Sequence, residues 1–259
     1  MQYIKLYKIF VRQYFKQLLE YKLDFIIGIL GIFVTQCLNI VFLWVIFSKI
    51  PSLYGWNLDE LIFIYGFSLI PKGLDHLLTD NLWIFAKKTV VSGQFDKYLL
   101  RPISPLFQIT FETFQFDAVG EILIGVLLLI KSFNIVYWTP QKAILFILTI
   151  PFTTLIYTSL KIMTASISFW TKKSGSVMYI FYMINNFAKY PVNIYNFVIR
   201  FVITFIIPFA FTAFYPASFF IRGENNTFFY SLIMISILFF LLSLFIWKKG
   251  ISSYESSGS

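Results

Sequence analysis

The residues best equipped for chemistry in this chain are charges set inside apolar sequence. Lys72, Asp75 and His76 fall within the run 60–86, Asp117 and Glu121 within 106–130, and Lys161 within 143–169. A charge at hydrocarbon depth costs about 3 kcal/mol even on lenient scales, so such residues face a partner or a water-filled path. Lys72 and Asp75 are three residues apart, which puts them on one helical face and lets them pair. Counting ~1.5 Å per residue from one membrane surface places Asp117 at about 18 Å and Lys161 at about 15 Å on consecutive antiparallel spans, so these two are expected to pair as well. Such pairs serve either as buried structural bridges or as the polar lining of a translocation path. His76, next to Asp75, is either a satisfied hydrogen-bonding residue or a pH-responsive one.

Other chemistries are excluded. One cysteine (Cys37) and one histidine (His76) cannot build a disulfide framework or a Cys/His metal centre. Gly120 and Gly125 have the spacing of a phosphate-binding loop, but Val126 follows where lysine is required, so no ATP site is expected in this chain. No paired-carboxylate or metal motif supports a membrane enzyme. An ion- or proton-coupled carrier, with Asp75, His76 or Glu121 as relay, is the alternative to an ATP-driven transporter. Carriers of that kind are commonly built from internal repeats, and none is evident here.

These charges must be positioned by spans. Of 259 residues, 58% are hydrophobic, 21% aromatic and only 13% charged, and the mean hydropathy is +0.76. A soluble domain is about 45–50% apolar and about 25% charged, so the solvent of this fold is lipid. Runs near the roughly 20 residues needed to cross a bilayer lie at 25–47, 60–86, 106–130, 143–169 and 227–247. Residues 1–24 carry no cleavable signal pattern. Lys5, Lys8, Arg12 and Lys16 share one helical face and Tyr7, Val11, Tyr14 and Leu18 another, the signature of an interfacial amphipathic helix.

The net charge of +9 flanks the apolar runs instead of forming a nucleic-acid face, so no nucleic-acid partner is expected. With the N-terminus cytoplasmic, thirteen of the 21 basic residues fall inside and only Lys49, Lys131, Lys142 and Arg222 outside. Trp44, Trp56 and Trp138 then sit at outer ends of spans, and Trp83, Trp170 and Trp247 at inner ends, the headgroup levels tryptophan prefers. Lys172–Lys173 and Lys248–Lys249 are both inside, so 176–222 must cross an odd number of times. The expected solution is one crossing at 176–195 and a broken re-entrant hairpin at 196–222, where Pro208 and Pro216 interrupt helix. The reading is an all-α membrane protein of six spans. A transmembrane domain covers 25–247, and 248–259 forms a cytoplasmic tail.

Between the second and third spans lies a cytoplasmic loop, 87–105. Within it Ser92 is the expected N-cap, Gly93 permits the turn, and Pro102 ends a two-turn helix of about 94–100. Phe95, Tyr98 and Leu99 share one face, with Asp96, Lys97 and Arg101 around it. A short helix with an aromatic knob and a charged rim suits docking to a soluble partner or lying on headgroups.

The segment "VVSGQFDKYLLRPISPLF" resembles the cytoplasmic loop of type-2 ATP-binding cassette (ABC) exporter permeases, particularly a bacterial subgroup of this length. "IPFAFTAFYPASFF" (207–220) resembles that family's re-entrant segment, and "YESSGS" its polar tail. The resemblance implies that the loop is a coupling helix seated in an ATPase subunit, with Gly93, Phe95, Asp96, Lys97, Tyr98, Leu99, Arg101 and Pro102 at the contact. It also implies a second permease subunit, identical or similar, ATP and magnesium held by the partner ATPase, and a place in the bacterial cytoplasmic membrane. The substrate is not implied.

Overall fold

The computed structural model describes residues 7, 9–12, 16, 20, 22–223 and 227–256. Among them the protein is helical throughout, with one isolated bridge between Leu53 and Trp56 in place of any sheet. The helices are α1 (Lys22–Phe47), α2 (Leu58–Thr79), α3 (Asn81–Ile84), α4 (Asp96–Leu99), α5 (Pro105–Phe111) and α6 (Val119–Lys131). They continue with α7 (Pro140–Ser166), α8 (Ser168–Thr171), α9 (Gly175–Asn185), α10 (Phe197–Phe201), α11 (Phe214–Arg222) and α12 (Phe228–Ser252).

Four helices are long and apolar enough to cross a membrane: α1 from Phe25, α2, α7 with α8, and α12. Local chemistry fixes where they begin. Asn57 and Glu60 form a reciprocal capping box at the start of α2. Thr139 accepts from the Lys142 N–H ahead of α7, with Pro140 in the first turn where its missing N–H costs nothing. Glycine stops α11, since Gly223 has φ +69°.

Large apolar side chains on α1 (Ile27, Leu30, Val34, Leu38) and on α12 (Met234, Leu238, Leu241, Phe245) are exposed, as lipid contact requires. The axis of the bundle is α2, the most enclosed of the four, which packs along α6 on one side and α7 on another. Glycines make the first contact. A Cβ on Gly125 would meet the Gly66 carbonyl oxygen at 2.9 Å, and one on Gly66 would meet Leu128 Cβ at 2.8 Å. Gly125, one of the two glycines with phosphate-loop spacing in the sequence, therefore makes a close backbone crossing with Gly66, the usual device of helices packed in lipid, while Gly120 makes ordinary contact with Ile32 of α1.

Two expected segments are built differently. The span expected at 106–130 is broken. Between α5 and the 3-10 turn Phe116–Ala118 that leads into α6, residues 112–115 leave the helix, and the two arms bend by 61°. The cluster Glu112, Thr113, Gln115 and Asp117 explains the break, because polar side chains in an apolar run compete for backbone partners. The freed Gln115 N–H donates to Leu77 O across the bundle. The segment expected as a crossing at 176–195 is α9, only 11 residues, followed by 3-10 turns Asn186–Lys189 and Val192–Ile194. At ~1.5 Å per residue its helix covers about 16 Å, half of a hydrocarbon core. The region 196–222 is built of α10, a π turn Val202–Ile206, a 3-10 turn Phe209–Thr212 and α11.

At the N-terminus, residues 7, 9–12, 16 and 20 are helical, Arg12 and Lys16 are exposed, and Val11 is half-buried. The Tyr7 ring meets Phe111 and Phe114 edge-on at 6.0 and 5.6 Å. Lys5, Lys8, Tyr14 and Leu18 of the expected amphipathic face lie outside the described residues.

Candidate functional site

Two constellations stand out, one inside the bundle and one at the end that carries the 87–105 loop. The inner one gathers charges from three helices. Lys72, Asp75 and His76 occupy one face of α2, and Asp80 occupies the bend between α2 and α3. Glu121 comes from the first turn of α6, and Lys161 from α7. Their pairing differs from the sequence expectation. Lys72 Nζ binds Glu121 Oε1 at 2.9 Å, not Asp75. Lys161 Nζ lies 2.7 Å from Asp75 Oδ2 and 3.1 Å from Asp80 Oδ1, not beside Asp117. The reason is the helix order: α2 stands between α6 and α7, so consecutive spans do not face each other at this level.

Asp117 instead sits in the 3-10 turn ahead of α6, where its Oδ1 accepts from the Ala118 N–H at 3.1 Å and its side chain packs over Gly28 of α1. His76 is not paired with Asp75 either. It lies between two other carboxylates, 3.8 Å from Asp80 Oδ2 and 3.7 Å from Glu121 Oε2. Asp75 is completed by hydroxyls of Thr79 (2.7 Å) and Thr158 (2.8 Å), which donate to its Oδ1. Burying these ions is tolerable only because each has an opposite charge and further hydrogen bonds. Three carboxylates against two lysines leave a formal charge of −1, which a proton on His76 would cancel.

Two cavities flank this cluster. One of about 390 Å³ is walled by Trp83, Lys87, Met178 and Tyr179. The other, about 340 Å³, is walled by Gly28, Thr35, Asn39, Asp117 and Lys189. Lys72, His76, Glu121, Tyr157, Tyr182 and Asn185 line both and form the partition between them. Polar pairs extend it on either side: Tyr157 OH donates to Asn185, Thr212 donates to Tyr157, and Lys189 donates to Asn39 at 2.8 Å. Tyr65 OH also donates to Gln36. Asp80, Thr158 and Tyr157 were not singled out by sequence reasoning. The one available signal was Asp80, four residues after His76.

The second constellation is the loop between α3 and α5. The chain leaves α3 through a π turn, Phe85–Thr89, and reverses at Gly93 (φ +68°), as glycine allows. The helix is shorter than expected: α4 is one turn, Asp96–Leu99, and Phe95 occupies its N-cap position. Ser92 does not cap it, because its hydroxyl points back to Thr89 O at 3.4 Å.

Phe95 is also turned the opposite way from the expected docking knob. It is fully buried, with its ring 5.0 Å from Phe169, 5.7 Å from Phe85, 6.4 Å from Trp247 and 4.9 Å from Tyr254. These partners belong to the end of the second span, to α8, to α12 and to the C-terminal tail. Asp96 is likewise not a free rim charge. It accepts from Tyr254 OH at 2.9 Å and from Ser256 Oγ at 2.6 Å. Tyr98 OH donates to Glu112 at 2.5 Å, and Arg101 reaches Gln108 at 3.0 Å while lying over the Tyr98 ring. Burial and the adjacent carboxylate push the Tyr98 phenol above its usual range, and burial with Asp96 does the same to Tyr254. Among the residues that the loop leaves exposed are Lys97, Leu99, Leu100, Arg101 and Pro102, with Leu100 86% exposed. Leu100 was missed in the sequence, and the exposed face it forms with Leu99 emerges only once Phe95 is seen to point inward.

A family model described as ABC-2 family transporter protein matches residues 33–258. No curated protein and no solved structure matches the chain. The match runs from α1 to the tail and takes in both constellations, so this all-helical membrane protein belongs to the ABC-2 transporter family.

Proposed function

We propose that the chain is the permease subunit of an ABC exporter, moving its substrate outward with ATP hydrolysed by a separate subunit. In this reading ATP and magnesium stay on the partner ATPase, and a second permease, identical or similar, completes the membrane part. The protein crosses the bacterial cytoplasmic membrane with both termini inside. Six crossings follow if the bent pair α5–α6 counts as one and α9 with its 3-10 continuation as another.

The observation that carries the proposal is the construction of the loop. An exposed Leu99–Leu100 pair beside Lys97 and Arg101 gives a soluble ATPase an apolar anchor with a charged rim. Phe95, on the other side of the same turn, is locked among Phe85, Phe169 and Trp247, so a push on the loop reaches three membrane segments. A hinge-free seat of this kind transmits displacement because packed aromatic cores deform little.

The test is a pull-down of the ATPase with Leu99→Ser/Leu100→Ser at matched membrane expression. The expected result is loss of the ATPase with the permease still folded. Phe95→Ala should instead lower the thermal stability of the permease itself. Normal ATPase retention and normal substrate-stimulated hydrolysis in the leucine variant would overturn the docking assignment and leave the loop as a headgroup contact.

A further inference from the structure

At the end of the bundle opposite that loop lies a third cavity, about 640 Å³, that the transport reading does not use. It sits between the region 196–222 and the start of α12, and two guanidinium groups, Arg200 and Arg222, line it with no carboxylate among the described lining residues. Arg222 is partly committed. It stacks 3.4 Å over Trp56, donates to Gly55 O and meets Glu60 at 3.3 Å.

Arg200 is not committed. Among the described residues its side chain has no hydrogen-bond or ion-pair partner, although it projects from α10, whose neighbours Phe197, Val198 and Phe201 are exposed as lipid contacts are. A guanidinium on an apolar, lipid-facing helix is costly unless an anion meets it. Two hydroxyls complete the wall. Thr204 and Tyr215 lie 3.5 Å apart, and whichever donates to the other, one O–H proton remains free to point at an acceptor. Much of the remaining wall is aromatic, with Phe205, Phe211, Phe214 and Phe228, and Asn193, Ser218 and Ser231 add polar groups.

We infer that this cavity binds the anionic head, a phosphate or carboxylate, of an amphiphile whose apolar body lies along α10. Arg200 supplies the charge, the Thr204–Tyr215 pair a directed donor, and the aromatic wall the seat for the first methylenes. A free inorganic anion shares the head chemistry but gains nothing from the apolar face, which separates the two sources.

The test needs only the purified permease in detergent, without its ATPase, so it stands apart from the docking experiment. Native mass spectrometry would compare retention of phosphatidylglycerol and phosphatidylcholine, with inorganic phosphate as competitor. The expected result is preferential retention of the anionic lipid, weakened about tenfold or more by Arg200→Gln, partly restored by Arg200→Lys, and unmoved by millimolar phosphate. Arg200 is exposed, so the variant should fold, and an unchanged melting curve without lipid would show it. Equal retention of the two lipids, or no change in Arg200→Gln, would overturn the site. Displacement by phosphate at low millimolar levels would overturn the amphiphile assignment.

Discussion

Removing Lys161 tests the rewired charge cluster most directly. Its ammonium serves two carboxylates at 2.7 and 3.1 Å, and its side chain is only 12% exposed. Lys161→Met keeps most of the volume but leaves Asp75 with two hydroxyl donors and Asp80 with His76 alone, raising the formal charge of the cluster from −1 to −2. Breaking a buried pair in this way costs about 3–5 kcal/mol, mostly the penalty of the stranded carboxylates. Asp75→Asn is milder, about 1–3 kcal/mol, since its carbonyl oxygen still accepts from Thr79 and Thr158 and Lys161 retains Asp80. Combined, the two substitutions remove one stranded charge, so the double variant should recover about 1–3 kcal/mol relative to the sum of the singles. Asp117→Asn combined with Lys161→Met is the control and should be additive within about 0.5 kcal/mol, because these residues do not touch. Unfolding in mixed micelles, followed by tryptophan fluorescence, would supply all six free energies. Additivity of the Asp75 pair, or coupling of the Asp117 pair, would refute the geometry.

Further outcomes can be checked separately. Gly125→Ala should cost about 1–3 kcal/mol by overpacking the crossing with Gly66, read as a lower melting temperature, and a neutral result would contradict the close approach. Tyr254→Phe should cost about 0.5–1.5 kcal/mol and raise amide exchange across Asp96–Leu99, with the spans unaffected. In a chain with Cys37→Ser, cysteine at Ser52 should label from outside and cysteine at Lys97 only after permeabilisation. The reverse pattern would invert the proposed topology.

Sequence reasoning succeeded where one residue's chemistry decides the outcome. The long apolar runs of α1, α7 and α12, with Lys161 the one charge inside 143–169, read as long helices, and Gly93 marked a reversal that its positive φ uses. It failed where the outcome depends on how helices are rotated and ordered. Depth counting put Asp117 level with Lys161, yet depth says nothing of which helix lies between two others, and α2 does. Phe95 shows the same limit. Aromatic residues at a loop suit an interface and a core equally well, and only the convergence of Phe169, Trp247 and Tyr254, from 74 to 159 residues downstream, decides between them. The break at 112–115 was half visible, since Asp117 and Glu121 were noted inside the apolar run 106–130 but not read as a sign of its interruption.

The clasp between the tail and the loop has a practical consequence for anyone handling this protein. Tyr254 and Ser256 hold Asp96. An affinity tag or fluorescent reporter joined directly after Ser256 would therefore hang from the strap that steadies the loop. Its drag would disturb the loop, so a defect seen in such a fusion would be an artefact of the handle. Placing the handle after a flexible spacer, or cleaving it before assay, would spare the clasp.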